Sequence, residues 1–163
     1  MIYEPHEVRA LITTRIVAIT PLAGYLHPKG VQAWHESAEP LVPEWEPNTR
    51  AHLAFFVDDR FVDDSQQTRD RGSGFIFAEA PITVRFLFES RPMAAKITDW
   101  DGAHQACVHI LRSLISDPIL AAADIEITPQ QNLYSREPAG EQGWLICEVF
   151  LMARYTFNAY PAS

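Results

Sequence analysis

The stretch that most constrains this chain is Trp144–Phe157, which reads Trp-Leu-Ile-Cys-Glu-Val-Phe-Leu-Met-Ala-Arg-Tyr-Thr-Phe. Every second residue from Leu145 makes an uncharged face: Leu145, Cys147, Val149, Leu151, Ala153, Tyr155 and Phe157. The residues between them, Trp144, Ile146, Glu148, Phe150, Met152, Arg154 and Thr156, make a second apolar face with two charges set into it. A period of two predicts a β-strand, because a helix would mix the two sets. At ~3.3 Å per residue an unbroken strand would run roughly 45 Å, where a common strand has about 5–6 residues. A compact chain of 163 residues has a radius of gyration of about 15 Å, so this strand would cross the whole domain. One small domain rarely covers both faces of such a strand. Part of the second face, Ile146, Phe150 and Met152 with Glu148 and Arg154, is therefore expected to meet another chain. Glu148 and Arg154 stand six positions apart, ~20 Å along a strand, too far to pair with each other. Each needs a partner elsewhere, across a subunit interface or in solvent.

Upstream, Pro5 suits a first helical turn, and Glu4 and Glu7 suit a helix N-terminus. Val8, Leu11, Ile12, Ile16 and Ile19 recur at helical spacing up to Thr20, with Arg9 and Thr13 opposite, and Pro21 ends the pattern. Residues 21–50 hold Pro21, Pro28, Pro40, Pro43 and Pro47, which exclude a long element. Trp34, Leu41, Val42 and Trp45 within them predict an ordered irregular arm, laid over its own core or over a neighbouring subunit. Ala51–Val57 alternates as a strand. Residues 58–74 follow as a charge-dense stretch closed by glycines, read as a long mobile loop. Its Asp58, Asp59, Arg60, Asp63, Asp64, Arg69, Asp70 and Arg71 are candidates for a protein contact, with a merely solvated loop as the plainer reading. Phe75–Phe77 extends the returning strand, and Ile82–Glu89 reads as a one-sided strand before Arg91-Pro92. Thr98-Asp-Trp-Asp starts a helix, Asp99–Ile115, whose stripe is Ala103, Cys107, Ile110, Leu111 and Leu114. Asp117-Pro118 ends or breaks it. Ile125 and Ile127 form a short strand, and a polar stretch from Pro129 to Gly143 leads into the last strand.

The order α-β-β-α-β-β predicts an α+β fold: one domain over 1–163, an antiparallel or mixed sheet, and two helices packed on one face. With 47% hydrophobic and 21% charged residues, such a chain can bury a core. No apolar run approaches the ~20 residues of a membrane span. The N-terminus lacks a basic flank and an apolar signal core, which argues against secretion by that route. A net charge of −8 without Lys/Arg clusters argues against a phosphate-binding surface. Cys107 and Cys147 lie on apolar faces and read as buried thiols of a reducing compartment, a disulfide or redox pair being the other reading.

No catalytic or metal-binding pattern emerges. His104 and His109 sit at the wrong spacing for a helix-face metal site, and Asp58, Asp59, Asp63 and Asp64 lack the spacing and turn glycine of an EF-hand. Gly72-Ser-Gly has neither the lysine of a phosphate loop nor the Gly-x-Ser-x-Gly of a nucleophile elbow. Neither cysteine has a nearby His or basic flank to lower its pKa. The expectation is a protein without catalytic residues, cofactor or metal.

In its order of elements this chain resembles the tail terminator and tail-completion (neck) proteins of tailed bacteriophages and related phage-tail-like particles. The parts that carry the likeness are the first helix, the arm, the strand Ala51–Val57 with its charged loop, the strand Ile82–Glu89, the helix Asp99–Ile115 and the terminal strand Trp144–Phe157. The likeness covers most of the chain and is one of element order and hydrophobic texture; the Pro-rich arm is an addition to a minimal member. It implies a small α+β protomer in a virion, assembled in the host cytoplasm into a homo-oligomeric ring, commonly a hexamer. The ring would end tail-tube polymerisation and offer the surface on which the head docks. Implied partners are other copies of the chain, the tail-tube protein and neck or connector proteins, with DNA passing through the lumen without specific binding. An acidic lumen suits that passage, since it repels phosphates. Other phage neck, tail-tube or baseplate components share these textures. A small cytosolic α+β enzyme or ligand-binding domain is the alternative from another class, and it would need a pocket lined by convergent polar groups.

Overall fold

Two strands of equal length hold the structure together. In the computed structural model, which describes residues 3–20, 34–41, 53–59, 75–89, 97–138 and 144–158, the terminal stretch is a single strand, Trp144–Asn158 (β5). It lies antiparallel to Phe75–Glu89 (β3) over all 15 residues of each, from Phe75 opposite Asn158 to Glu89 opposite Trp144. Leu53–Val57 (β2) runs antiparallel to the middle of β3, and His35–Glu36 (β1) pairs parallel with β2 at one edge. Glu126–Pro138 (β4) runs antiparallel to β5 at the other edge, giving a mixed five-stranded sheet in the order β1-β2-β3-β5-β4. The helices are Pro5–Val17 (α1), Ile97–Ile115 (α2) and the short Pro118–Ala122 (α3). The fold is α+β.

The alternation of the strands decides where the helices go. Leu53, Phe55 and Val57 of β2, the even residues Ala78–Phe88 of β3 and the odd residues Leu145–Tyr155 of β5 belong to one buried cluster. Val8, Ile12 and Ile16 of α1 and Ala103, Cys107, Ile110, Leu111 and Leu114 of α2 join the same cluster. The helical stripes read from the sequence are thus the surfaces that cover this face, together with Ala106 and Leu120. The N-terminal end of α2 comes so close to β3 that a Cβ on Gly102 would stand 2.7 Å from Phe88 Cζ. At the start of α1, the Glu4 backbone N–H donates to the Glu7 carboxylate at 2.8 Å, one half of a capping box, with Pro5 at the first position.

Several boundaries differ from the sequence reading, each for an identifiable reason. β3 is one strand and runs through Pro81, which in sequence breaks it. Asp58 N–H donates to the Pro81 carbonyl at 2.9 Å, so the side of Pro81 that lacks a donor faces the place where β2 ends, and the pairing of β3 with β5 continues through it. β4 continues to Pro138 through a stretch that reads as polar loop. As an edge strand it needs pairing on one side only, and a register shift between Pro129 and Tyr134 absorbs the irregularity. The Gln130 side-chain amide donates to the Leu151 carbonyl at 2.7 Å within that bulge. α2 begins at Ile97, so Thr98 lies inside its first turn and not before it.

Asp117-Pro118 is a break followed by a new helix. The Asp117 carboxylate accepts from the N–H groups of Ile119 (2.9 Å) and Leu120 (3.1 Å) and caps α3. It also accepts from Arg15 Nε at 2.7 Å, which ties α1 to the α2–α3 junction. Within the arm of residues 21–50, the described part, 34–41, contains β1. Trp34 packs edge-on to Phe55, with centroids 6.4 Å apart, and its Nε1 donates to the Ile19 carbonyl at 3.2 Å. That part covers the protein's own core, whereas Trp45 lies outside the described residues, as do residues 60–74 of the charged loop.

Two outcomes test this arrangement. Leu111→Ala, which opens a cavity under α2, should cost ~2–5 kcal/mol in urea unfolding. Burial would raise the Asp117 carboxyl, but Arg15 and the two α3 N–H groups outweigh it and hold it below its ordinary value of 3.8. A carboxyl lowered in the folded state adds stability above its unfolded pKa and loses it as pH falls through the folded value. Acidification below pH 3.8 should therefore narrow the stability gap between wild type and Asp117→Asn, followed by thermal melts across that range.

Candidate functional site

The same alternation that sends one face of the sheet to the helices leaves the other to odd residues of β3 and even residues of β5. Among the described residues no helix packs there. Five charged residues fall on this face, and the register pairs four of them, leaving Glu89 opposite Trp144. Arg85 stands opposite Glu148, and Glu79 opposite Arg154. Arg85 Nε donates to Glu148 Oε1 at 2.7 Å and its terminal nitrogen donates to the same oxygen, with the Arg85 side chain 7% and the Glu148 side chain 19% exposed. Arg154 Nε donates to Glu79 Oε1 at 2.9 Å. The sequence reading sent Glu148 and Arg154 to another subunit or to solvent. The structure gives both their partners one strand away in the same chain. The missed signal is a repeat: β3 holds Glu79-Ala-Pro-Ile-Thr-Val-Arg85 and β5 holds Glu148-Val-Phe-Leu-Met-Ala-Arg154. Antiparallel pairing of two Glu-x5-Arg segments sets each Glu against an Arg.

Exposure rises along this face. Leu87 is 1% and Arg85 6% exposed, while Phe77 is 40% and Phe75 48% exposed. The end near Glu89 is thus closed within the protomer, and the end near Phe75 is open. Between them lies a groove of about 390 Å³ lined by Pro40, Leu41, Phe56, Asp58, Pro81, Thr83, Arg85, Ile146, Glu148 and Phe150. Of the residues expected to make a contact, Ile146, Glu148, Phe150 and Asp58 therefore converge on one depression. Met152 stands on the same face opposite Pro81, and Arg154 lies beyond it toward the open end. Asp59 is elsewhere, with an oxygen 3.8 Å from a guanidinium nitrogen of Arg9. Arg9 also binds Glu36 at 3.0 Å, and Thr13 donates to the same carboxylate at 3.2 Å, closing α1 onto β1. Arg60, Asp63, Asp64, Arg69, Asp70 and Arg71 lie outside the described residues.

The groove offers aromatic and aliphatic walls, the Arg85–Glu148 pair and the Asp58 carboxylate. Glu148 holds the Arg85 guanidinium, so the most polar group in the groove is already engaged. On the opposite face, burial, reinforced by the Asp59 charge, raises the Tyr155 hydroxyl to about 12, which keeps it protonated over the ordinary pH range. Both cysteines are free and buried. Among the described residues no three His, Cys, Asp or Glu side chains gather as a metal site, and no helix is long and apolar enough to cross a membrane. Comparison with protein-family models gives no match, and no curated protein matches the chain.

Removing one partner of the central pair should take from the other, largely buried charge the ion pair that balances it. Arg85→Met is expected to destabilise by about 2–4 kcal/mol, below the full cost of a wholly buried pair because Glu148 keeps some solvent. The double replacement Arg85→Met with Glu148→Leu should recover most of that loss, and chemical denaturation of the three variants reads it directly.

Proposed function

We propose that this chain is a structural subunit that assembles with copies of itself into a ring at the head-proximal end of a phage tail tube, where the ring ends tube polymerisation and offers a docking surface for the head. The observation that carries the reading is the long sheet face that the described helices do not cover, open toward Phe75 and Phe77. Along β3 and β5 its apolar residues are divided by two internal ion pairs, with Glu89 at one end and Glu126 and Glu137 of β4 in register alongside. A 15-residue strand pair is far longer than a small core needs, and such length suits an assembly surface. The α+β build agrees with the likeness noted in the sequence. In this reading the principal elements follow the family's order, α-β-β-α-β-β, the Pro-rich arm of residues 21–50 is an addition, and the charged stretch 58–74 contacts the tube.

The groove favours a second reading, a ligand-binding domain, since about 390 Å³ falls within the ~300–1,000 Å³ of small-molecule sites. Two of its three charged residues, Arg85 and Glu148, bind each other, which leaves the assembly reading ahead.

The purified chain should show ring-shaped particles by negative stain and a mass of several protomers by light scattering. Added to polymerising tail-tube protein, it should cap tubes at a defined length. Met152→Asp should abolish rings while leaving the thermal melt of the protomer close to wild type. A chain that stays monomeric at tens of micromolar and leaves tube length uncontrolled would overturn the proposal.

A further inference from the structure

The outer edge of β4 carries main-chain groups that the sheet does not use, and the phase of the hydrogen bonds fixes which they are. Phe55 C=O accepts from Ser37 N–H at 2.8 Å and Pro81 C=O from Asp58 N–H at 2.9 Å, so Phe55 points to β1 and Pro81 to β2. Successive residues of a strand turn their N–H and C=O to opposite sides, so Ile82 points to β5, its partner Leu151 to β3, and Met152 to β4. Thr128, opposite Met152, therefore bonds inward, and its neighbour Ile127 turns both N–H and C=O outward. Among the described residues no strand lies on that side, because β4 ends the sheet order. The Ile125 N–H, on the same side, is taken by the Leu120 C=O at 3.0 Å, and Pro129 has no N–H to offer. Beside Ile127 lies a second groove of about 500 Å³, walled by Leu114, Ile115, Leu120, Ala121 and Ile125. Ile115 is 45% exposed there. We propose that this edge binds an extended segment of another protein, added antiparallel to β4, with an aliphatic side chain in the groove and a Lys or Arg next to it.

The pairing chemistry and the charge together select the occupant. One residue exchanges both of its main-chain bonds with a single partner residue only in an antiparallel pair. A helix cannot supply them, since its own N–H and C=O groups are used internally. The residue opposite Ile127 projects to the same side of the sheet as Ile127, the helix side, where the aliphatic walls stand. The next residue of the segment stands opposite Glu126, which lies on the helix-free side in register with Arg154. Arg154 holds Glu79, and among the described residues no ion pair engages Glu126. A Lys or Arg at that position gains a carboxylate, with the exposed Asp124 also on the groove. A second copy is the poorer occupant. Two chains of net charge −8 repel, and β4 laid against itself brings Thr128, not a cation, to Glu126. This edge is separate from the open end of the helix-free face, so the contact goes beyond the assembly proposed above and either can fail alone.

The test uses the full chain, isotope-labelled, and the acetylated peptide amide Thr-Thr-Val-Arg-Thr-Thr. Titration should shift the Ile127 amide in proton–nitrogen correlation spectra and slow its exchange with deuterium, with a dissociation constant below about 1 mM. N-methylation of the peptide's valine removes the main-chain donor and should abolish binding. Glu126→Lys, at an exposed position, should leave the melt unchanged and weaken binding at least about fivefold at low salt. The peptide with Glu in place of Arg should bind that variant better than it binds wild type. An Ile127 amide that ignores millimolar peptide overturns the inference, as does binding that survives the N-methyl group. An Ile127 shift that grows with protein concentration, without peptide, would assign the edge to a second copy and overturn the choice of partner. Rings and capped tubes from a chain that ignores the peptide would leave the assembly reading and sink this one; peptide binding by a chain that forms no rings would do the opposite.

Discussion

The ion pair between Arg85 and Glu148, at the centre of the two longest strands, sets the alignment on which the sheet depends. An antiparallel pair of apolar strands has little to fix its register, because sliding by two positions keeps every side chain on its own face. Here such a slide would put Arg85 opposite Phe150 or Ile146, and Glu79 opposite Thr156 or Met152. Each slip would strand a charge against an apolar neighbour in the least exposed part of the sheet, a cost of several kcal/mol per uncompensated ion. A slide by one position would turn the helix-facing set outward. Because the spacing from Glu to Arg is the same in both strands, one alignment satisfies both pairs, and both alternatives break both.

Once that alignment holds, the helices have one place to go. The even residues of β3 and odd residues of β5 form a surface without charge, and α1 and α2 each bring one apolar stripe to it. Neither helix has a second stripe with which to cover the opposite face. The single-sided layering follows from the patterning of three segments, and it leaves the paired charges, the groove and the two phenylalanines together on the remaining face. Arg15 reaching Asp117 and Arg9 reaching Glu36 then fasten α1 at its two ends, to the α2–α3 junction and to the β1 edge.

What could be read from the chain without coordinates followed the strength of the period. The helical stripes of α1 and α2 and the whole of β5 were legible because three or more turns or pleats repeat the same signal. β4 was legible only at its start, around Ile127, since an edge strand with a bulge and polar side chains shows no alternation beyond it. β3 was legible only in halves, because Pro81 is a breaker in sequence and harmless where its missing donor faces the end of β2. β1, at two residues, carries no period at all. For the candidate site, Ile146, Glu148 and Phe150 were found from one strand's alternation, but Pro40, Leu41 and Phe56 enter the groove through tertiary pairing that no local pattern encodes. Arg85 was in view as a polar residue of a one-sided strand. Its role emerges only when the two Glu-x5-Arg segments are laid antiparallel.

The choice of charged pairs in place of more leucine or phenylalanine bears on the assembly proposed above. An apolar replacement of a buried ion pair is often neutral or stabilising, so Arg85 and Glu148 are not needed to hold the protomer together by strength alone. A face made only of Ile146, Phe150, Met152, Phe75, Phe77 and their neighbours would be a large featureless patch, open to any apolar surface in any orientation. Fixed dipoles from two salt bridges divide it into zones and penalise placements that bury either pair beneath an unmatched group. The groove then lies beside one pair and the exposed phenylalanines beyond the other. In the assembly proposed above a partner would meet apolar, polar and apolar ground in a set order, and that order would serve specificity where a stronger core would serve only stability.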